Sequence, residues 1–200
     1  SGAVRTDCGD GVLTAPAGAT RVVLAGGDLR TGQAVCTLTV PVTATTGGTY
    51  TNGPGNLSLT GLDAPAPASL TVTPTATVQV TKQLSGPRVN AHDQFQVALR
   101  TGSGSGPILA AGTTTGTGST VTPGTGTTGV DVVPVGPTYY VTEAAAGTTN
   151  LAFYDATITC TDANGRQGGL PSGTAFSGTV AITPVEGAAI SCVITNGSAP

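Results

Sequence analysis

No stretch of this 200-residue chain repeats apolar residues at i, i+3, i+4 and i+7, and its alanine-rich pieces are all broken by Gly, Pro or Thr. Short runs of Val, Ile, Leu and Thr recur instead, and 31 Gly and 14 Pro punctuate them. That pattern excludes helical bundles and predicts an all-β chain of many short strands joined by turns. Charged residues make up 8% of the chain and aromatics 4%, with no Trp or Met, so any core must be thin and built of small aliphatic side chains. Thin cores gain most from covalent staples.

Four cysteines are available as staples. They pair naturally as Cys8 with Cys36 and Cys160 with Cys192, one pair in each half, although the sequence alone allows three connectivities. Metal ligation is the weaker interpretation, because no CxxC spacing occurs and the single His92 lies far from every cysteine in sequence. No metal or other cofactor is expected. Disulfides on strands of a Thr-rich chain point to an oxidising, extracytoplasmic destination. No signal peptide stands at residue 1, so an exported chain of this kind is expected to have been processed or cut from something longer. A net charge of −3 offers no basic patch for nucleic acid, and no apolar run approaches membrane-spanning length.

The chain has one lysine, Lys82, in the run Val78-Gln79-Val80-Thr81-Lys82. Strand alternation puts its amine on the side of Val78 and Val80, inside a core, where an ammonium is costly and the pKa falls toward the neutral nucleophile. Glu143, one of two glutamates, ends Tyr139-Tyr140-Val141-Thr142-Glu143 and shares the parity of Tyr139 and Val141. Asn196 shares the parity of Ile190, Cys192 and Ile194. Three inward polar residues therefore come from three strands. Brought together, they can form an amide: a protonated Glu143 hydrogen-bonds the Asn196 carboxamide oxygen and carries the proton that Lys82 must lose, and ammonia leaves. The alternatives are a buried Lys82–Glu143 ion pair with Asn196 as a bystander, or three surface residues.

Residues 76–200 resemble a bacterial Cna B-type (SpaA-like, prealbumin-like) surface domain through Val-Thr-Lys at 80–82, Tyr-Tyr-Val-Thr-Glu at 139–143 and Val-Ile-Thr-Asn at 193–196. The resemblance implies a spontaneous isopeptide bond between Lys82 on the first strand and Asn196 on the last, assisted by Glu143. Residues 1–75 resemble the latter part of Ig-like repeat modules of large bacterial surface proteins. Cys8-Gly9-Asp10-Gly11-Val12-Leu13-Thr14-Ala15, Ala34-Val35-Cys36-Thr37-Leu38-Thr39-Val40 and Gly48-Thr49-Tyr50-Thr51-Asn52 carry that likeness. Such modules have further strands ahead of the first cysteine, whereas seven residues precede Cys8 here.

The expected architecture is therefore two tandem Ig-like or prealbumin-like β-sandwiches, 1–75 and 76–200, joined by a stiff Pro-rich connector near 73–77. Strands are expected at 11–14, 21–25, 34–45, 56–60 and 69–73. In the second module they are expected near 78–84, 94–100, 107–111, 118–122, 129–135, 138–143, 156–161, 176–183 and 189–195. Five candidates fall short of the roughly seven strands of an Ig-like sandwich. Either a neighbouring subunit donates a strand, stringing molecules into filaments, or the segment is truncated or closes by itself. Asn164-Gly165 reads as a type I′ turn rather than a calcium loop. Asn56-Leu57-Ser58 and Asn196-Gly197-Ser198 match the N-glycosylation pattern, and a glycan on Asn196 would eliminate the cross-link.

The function expected is structural: a stalk, pilus-like filament or adhesin module at the bacterial cell surface, stabilised by the amide and the disulfides and carrying no enzyme motif. The alternative is an adhesin domain that recognises host protein or glycan through loops such as Thr101–Thr128. A surface poor in Trp, Tyr and Arg argues against that alternative.

Overall fold

The computed structural model describes residues 4–44, 46–60 and 63–200, and these are all-β with two short 3₁₀ turns. The chain forms two compact units, residues 1–45 and 46–200. In the first unit β1 (Arg5–Thr6) pairs with β4 (Leu38–Thr39), and β2 (Val12–Thr14) with β3 (Val23–Ala25). The Cys8–Cys36 disulfide ties the ends of this unit together, with Cα atoms 5.0 Å apart. Cys8 is its one buried residue among those described, and Val12, Val23, Val35 and Leu38 stay exposed. Gly9 has φ +55 and lies so close to Asp28 that any Cβ would collide with the Asp28 carboxylate. Only glycine fits there.

The second unit begins with a hairpin, β5 (Gly48–Asn52) against β6 (Ala68–Val72). The Gly47 N–H donates to the Glu186 carboxylate, which brings this hairpin to the sandwich that follows. The sequence-based boundary near 75 thus falls inside the second compact unit, just before β7 (Thr75–Leu84).

From β7 onward two sheets face each other. One has five strands in the order β10 (Asp131–Pro134), β7, β15 (Ala189–Ser198), β12 (Tyr154–Asp162), β13 (Thr174–Ala175). The other has four, β14 (Thr179–Ile182), β11 (Tyr139–Gly147), β8 (Asp93–Thr101) and β9 (Ile108–Thr113). Between them lies an aliphatic core that includes Val78, Val80 and Ile194 from the first sheet and Val97, Leu99 and Val141 from the second. Strand alternation holds strictly on β7, where Ala76, Val78, Val80 and Lys82 are buried, and on β15, where Ile190, Cys192, Ile194 and Asn196 are. β7 and β15 pair in parallel, with Lys82 beside Ile194, while every other strand pair is antiparallel. The first and last strands of the sandwich are therefore immediate neighbours.

The expected strand at 118–122 does not form. Arg88 is buried and its guanidinium donates to the carbonyls of Gly118, Thr120 and Thr115 at 3.0, 2.7 and 3.4 Å, so a side chain takes the backbone acceptors a sheet would need. In the first segment, 34–45 shortens to Leu38–Thr39, its last residue Thr45 lying outside the described residues, and 56–60 gives way to a 3₁₀ turn at Pro54–Asn56. Asn164-Gly165 is not a type I′ turn, because that turn needs positive φ at both central residues and no described non-glycine has one.

The carboxylate of Asp162 decides the shape of that loop. It accepts from the backbone N–H of Asn164 (3.0 Å), Arg166 (2.5 Å), Gln167 (2.8 Å) and Ala189 (2.7 Å). Desolvation alone would raise its pKa, but the four donors outweigh it and hold the carboxyl at about 2, against an ordinary 3.8. The folded pKa is depressed, so its contribution to stability is full above pH 3.8 and drains away as the pH falls toward 2. Asp162→Ala is expected to lower the thermal midpoint at pH 7 and to flatten its fall between pH 4 and pH 2. Parallel midpoint curves for wild type and variant across that window would contradict this role.

Candidate functional site

Lys82 leaves β7 pointing between the sheets because its parity is that of Val78 and Val80, and the loop after β9 closes over it. Gly126, with φ +63, passes so near that a Cβ there would lie 3.2 Å from the Lys82 Cβ and 2.6 Å from the Thr114 methyl. The Gly126 carbonyl also accepts from the Lys82 backbone N–H at 2.8 Å. The Lys82 side chain is 0% exposed and that of Glu143 is 3% exposed. Asn196 is equally buried.

Inside this buried space one atom, Oε1 of Glu143, touches both partners. It lies 3.3 Å from the Lys82 Nζ and accepts from the Asn196 Nδ2 at 3.0 Å. Lys82 completes its three donations with the carbonyls of Gln83 and Ile194, each at 3.0 Å, and sits 5.1 Å from the centre of the Phe95 ring. All three N–H groups of an ammonium are thereby satisfied. The Asn196 Oδ1 is buried and has no hydrogen-bond partner among the described residues. That differs from the sequence expectation, in which Glu143 bonds the carboxamide oxygen. A carboxylate can only accept, so it takes the Nδ2 face of the amide. Turning the carboxamide over would set Oδ1 against a protonated Glu143.

Burial dominates the titration of both groups. It drives the Lys82 amine down to about 8, against the charge and hydrogen bond of Glu143 that pull it up. It also raises Glu143, against the charge of Lys82 and hydrogen bonds from Lys82 and Asn196 that pull it down. Both shifts favour the neutral amine beside the neutral acid. A proton moved from Nζ to Oε1 stays within reach of Nδ2, the atom that leaves as ammonia in an amide exchange.

All three expected site residues are thus brought together, from β7, β11 and β15. Cys160 and Cys192 form a disulfide straight across β12 and β15, with Cα atoms 4.0 Å apart. Cys8 and Cys36 pair in the other unit. Among the described residues the one cluster with metal-ligand spacing is Asp7, Cys8 and Cys36, and its two thiols are already joined. His92 is exposed, and Tyr139 is buried with its hydroxyl donating to the Pro134 carbonyl at 3.1 Å.

Sequence reasoning missed the residues that seat the trio. Phe95 supplies the ring beside Nζ and packs edge-on against Tyr154 at 4.9 Å. Tyr154 donates to Asp93 at 2.7 Å and accepts from the Val89 N–H. Arg88, from the same loop, donates to the Asp93 carbonyl at 2.7 Å. The usable signal was the shared parity of Asp93, Phe95 and Val97 on one strand.

A profile of the SpaA-like prealbumin-like fold domain matches residues 77–198. The chain belongs to that family. A second profile, for a domain of unknown function, matches residues 1–73. Among solved structures the chain is similar to the major pilin protein T-13 of Streptococcus pyogenes, with 13% identity and a TM-score of 0.37 over 70% of this chain and 50% of that one. It is also similar to the T3.2 major pilin of the same species, with 15% identity and a TM-score of 0.34 over 70% and 51%. A further Streptococcus pyogenes major pilin aligns over 89% of this chain and 81% of its own, with 12% identity and a TM-score of 0.32. The chain spans about half the length of the first two pilins. No curated protein sequence matches. At such identities and scores the likeness says nothing about chemistry.

The buried carboxylate can be weighed directly. In an Asn196→Ala background, where no amide forms, Glu143→Ala leaves the Lys82 amine buried without its counter-charge and is expected to cost about 3–5 kcal/mol. Urea denaturation reads this difference. A change below about 1 kcal/mol would mean that the pair behaves like an exposed one.

Proposed function

We propose that residues 76–200 form a load-bearing module of a bacterial surface stalk or pilus-like filament, in which Lys82 and Asn196 become joined by an intramolecular amide. We place the domain boundary near 75, where β7 begins and the two family profiles part. The observation that carries the proposal is the single Glu143 oxygen in contact with both nitrogens among side chains buried from solvent.

The chemistry balances without any cofactor. Lys82 passes a proton to Glu143, and the freed Nζ lone pair attacks the Asn196 Cγ. The tetrahedral intermediate collapses as Nδ2 takes that proton from Glu143 and departs as ammonia, while Nζ gives its second proton to the Glu143 carboxylate, which leaves a neutral amide beside a protonated Glu143. One C–N bond forms and one breaks. The event happens once per molecule, so Glu143 is a maturation residue in a structural protein and turns over no substrate. Family membership supports the structural role, and the two disulfides suit an extracellular location.

Mechanics follow from position. Lys82 and Asn196 stand 114 positions apart (196 − 82) and close almost the whole sandwich into one loop. On the chain-entropy argument used for disulfides, a loop of that size stabilises by roughly 4–5 kcal/mol. Force entering at β7 and leaving at the end of β15 would cross the amide and bypass the strands between.

Single-molecule stretching of the full chain tests this. Wild type is expected to give no extension from the segment between 82 and 196. Lys82→Met should release about 300 Å, the 114 positions less the 32 spanned by the Cys160–Cys192 disulfide, and about 400 Å once that disulfide is reduced. Wild type extending as far as the variant would sink the proposal.

A further inference from the structure

Asn196 is followed by Gly197, one of three Asn-Gly steps in the chain beside Asn52-Gly53 and Asn164-Gly165. Such a step offers the carboxamide a second nucleophile. The following backbone nitrogen attacks Cγ, ammonia leaves and a succinimide closes, which water opens to aspartate or isoaspartate. Glycine makes this easy because no side chain hinders the ring or restrains the backbone. The Asn196 carboxamide thus faces two nitrogens, the Lys82 Nζ through space and the Gly197 N along the chain.

We propose that the seat of β15 in its sheet holds the backbone route shut, so that Asn196 is a deamidation site only while β15 is out of the fold. Deamidation there then permanently removes the acceptor for the Lys82 amine. The inference concerns the carboxamide of the proposed amide, yet it stands whether or not that amide forms.

The ladder supplies the argument. Opposed residues of an antiparallel pair bond alternately toward and away from each other. On β12, the Ala156 carbonyl accepts from the Phe176 N–H and the Cys160 N–H donates to the Pro171 carbonyl, both at 2.8 Å and both on the side away from β15. Ala156 is opposite Asn196, whose own carbonyl accepts from the Ser85 N–H at 2.9 Å on the β7 side. One residue along, Asp155 is opposite Gly197, and the same alternation turns that pair toward each other. The Gly197 N–H is therefore held by the Asp155 carbonyl. Ring closure needs that N–H to lose its proton and Asn196 to rotate out of the extended backbone, and the ladder opposes both. Gly197 is also a tight fit, since a Cβ there would lie 2.7 Å from the Ser85 hydroxyl.

The consequence is an order of events. A chain that waits unfolded ages at Asn196, and after hydrolysis the site holds two carboxylates around Lys82. These keep the amine an ammonium and offer no amide to exchange. Isoaspartate would further add a methylene to the backbone of β15 at residue 196, displacing Gly197 from its partner Asp155.

The amide and the succinimide each expel one ammonia, so a mass lower by about 17 Da fits either, and the position of the change decides. The test holds full-length, disulfide-intact Lys82→Met at mildly alkaline pH, in buffer and in urea, and maps peptides over time. In urea all three Asn-Gly steps are expected to deamidate alike, each gaining about 1 Da on hydrolysis. In buffer the exposed Asn52, at the end of β5, serves as an internal clock, and Asn196 should react at least about tenfold more slowly than in urea, as opening of the strand must come first. Should Lys82→Met not fold by circular dichroism, Glu143→Gln carries the same comparison. Equal rates at Asn196 in buffer and urea would overturn the inference, as would an inert Asn196 in urea. Wild type in urea separates the two proposals: an Asn196 that deamidates there as in the variant removes the amide and leaves strand protection standing.

Discussion

A carboxylate oxygen shared by an amine and a carboxamide, in a space closed to water, is the contact on which the site's chemistry depends. In solvent the same three groups would be an ordinary lysine, glutamate and asparagine, and their ion pair would contribute little. Inside the sandwich desolvation dominates, lowering the amine and raising the acid, so that both shifts narrow the gap a proton must cross between them. The walls of the space are the small aliphatic core, the Phe95 ring and the loop that Gly126 allows to pass over Lys82. A thin core with one charged intruder is unstable as a store of charge and well arranged as a reaction vessel.

Topology would convert the proposed cross-link into mechanics. β7 and β15 are the first and last strands of the sandwich, lie side by side and run parallel, so pulling on their outer ends loads the ladder between them in shear. An amide from Lys82 to Asn196 would lie across the sheared ladder. The Cys160–Cys192 bridge lies off that path and joins β15 to its other neighbour β12. With both bonds in place three adjacent strands would be covalently one piece. The disulfide would then limit extension only where the amide is missing. On the two proposals together, the ladder would also protect Asn196 from its own backbone, so that one set of hydrogen bonds would serve both stiffness and chemical selectivity.

Much of this was legible in the sequence because strand parity is an inflexible rule. Val78, Val80 and Lys82, or Ile190, Cys192, Ile194 and Asn196, can only share a face, and a lone lysine on an apolar face stands out. The cysteine pairs followed from their division between the halves. What escaped was decided by side chains acting on backbone far away in sequence. Arg88 consumes the carbonyls of residues 115–120 and prevents a strand there, and no local pattern in that Gly/Thr tract reveals it. The Asp162 carboxylate gathers four N–H groups and overrides the hairpin that Asn164-Gly165 suggests. The orientation of the Asn196 carboxamide was also invisible, because it is set by the protonation of Glu143 and not by parity.

The most direct test of the central claim is tandem mass spectrometry of proteolysed, fully reduced protein. The account predicts one branched peptide that contains both Lys82 and Asn196, joined through Nζ and Cγ. Recovery of two separate peptides, one with a free Lys82 amine and the other with an intact Asn196 carboxamide, would contradict it.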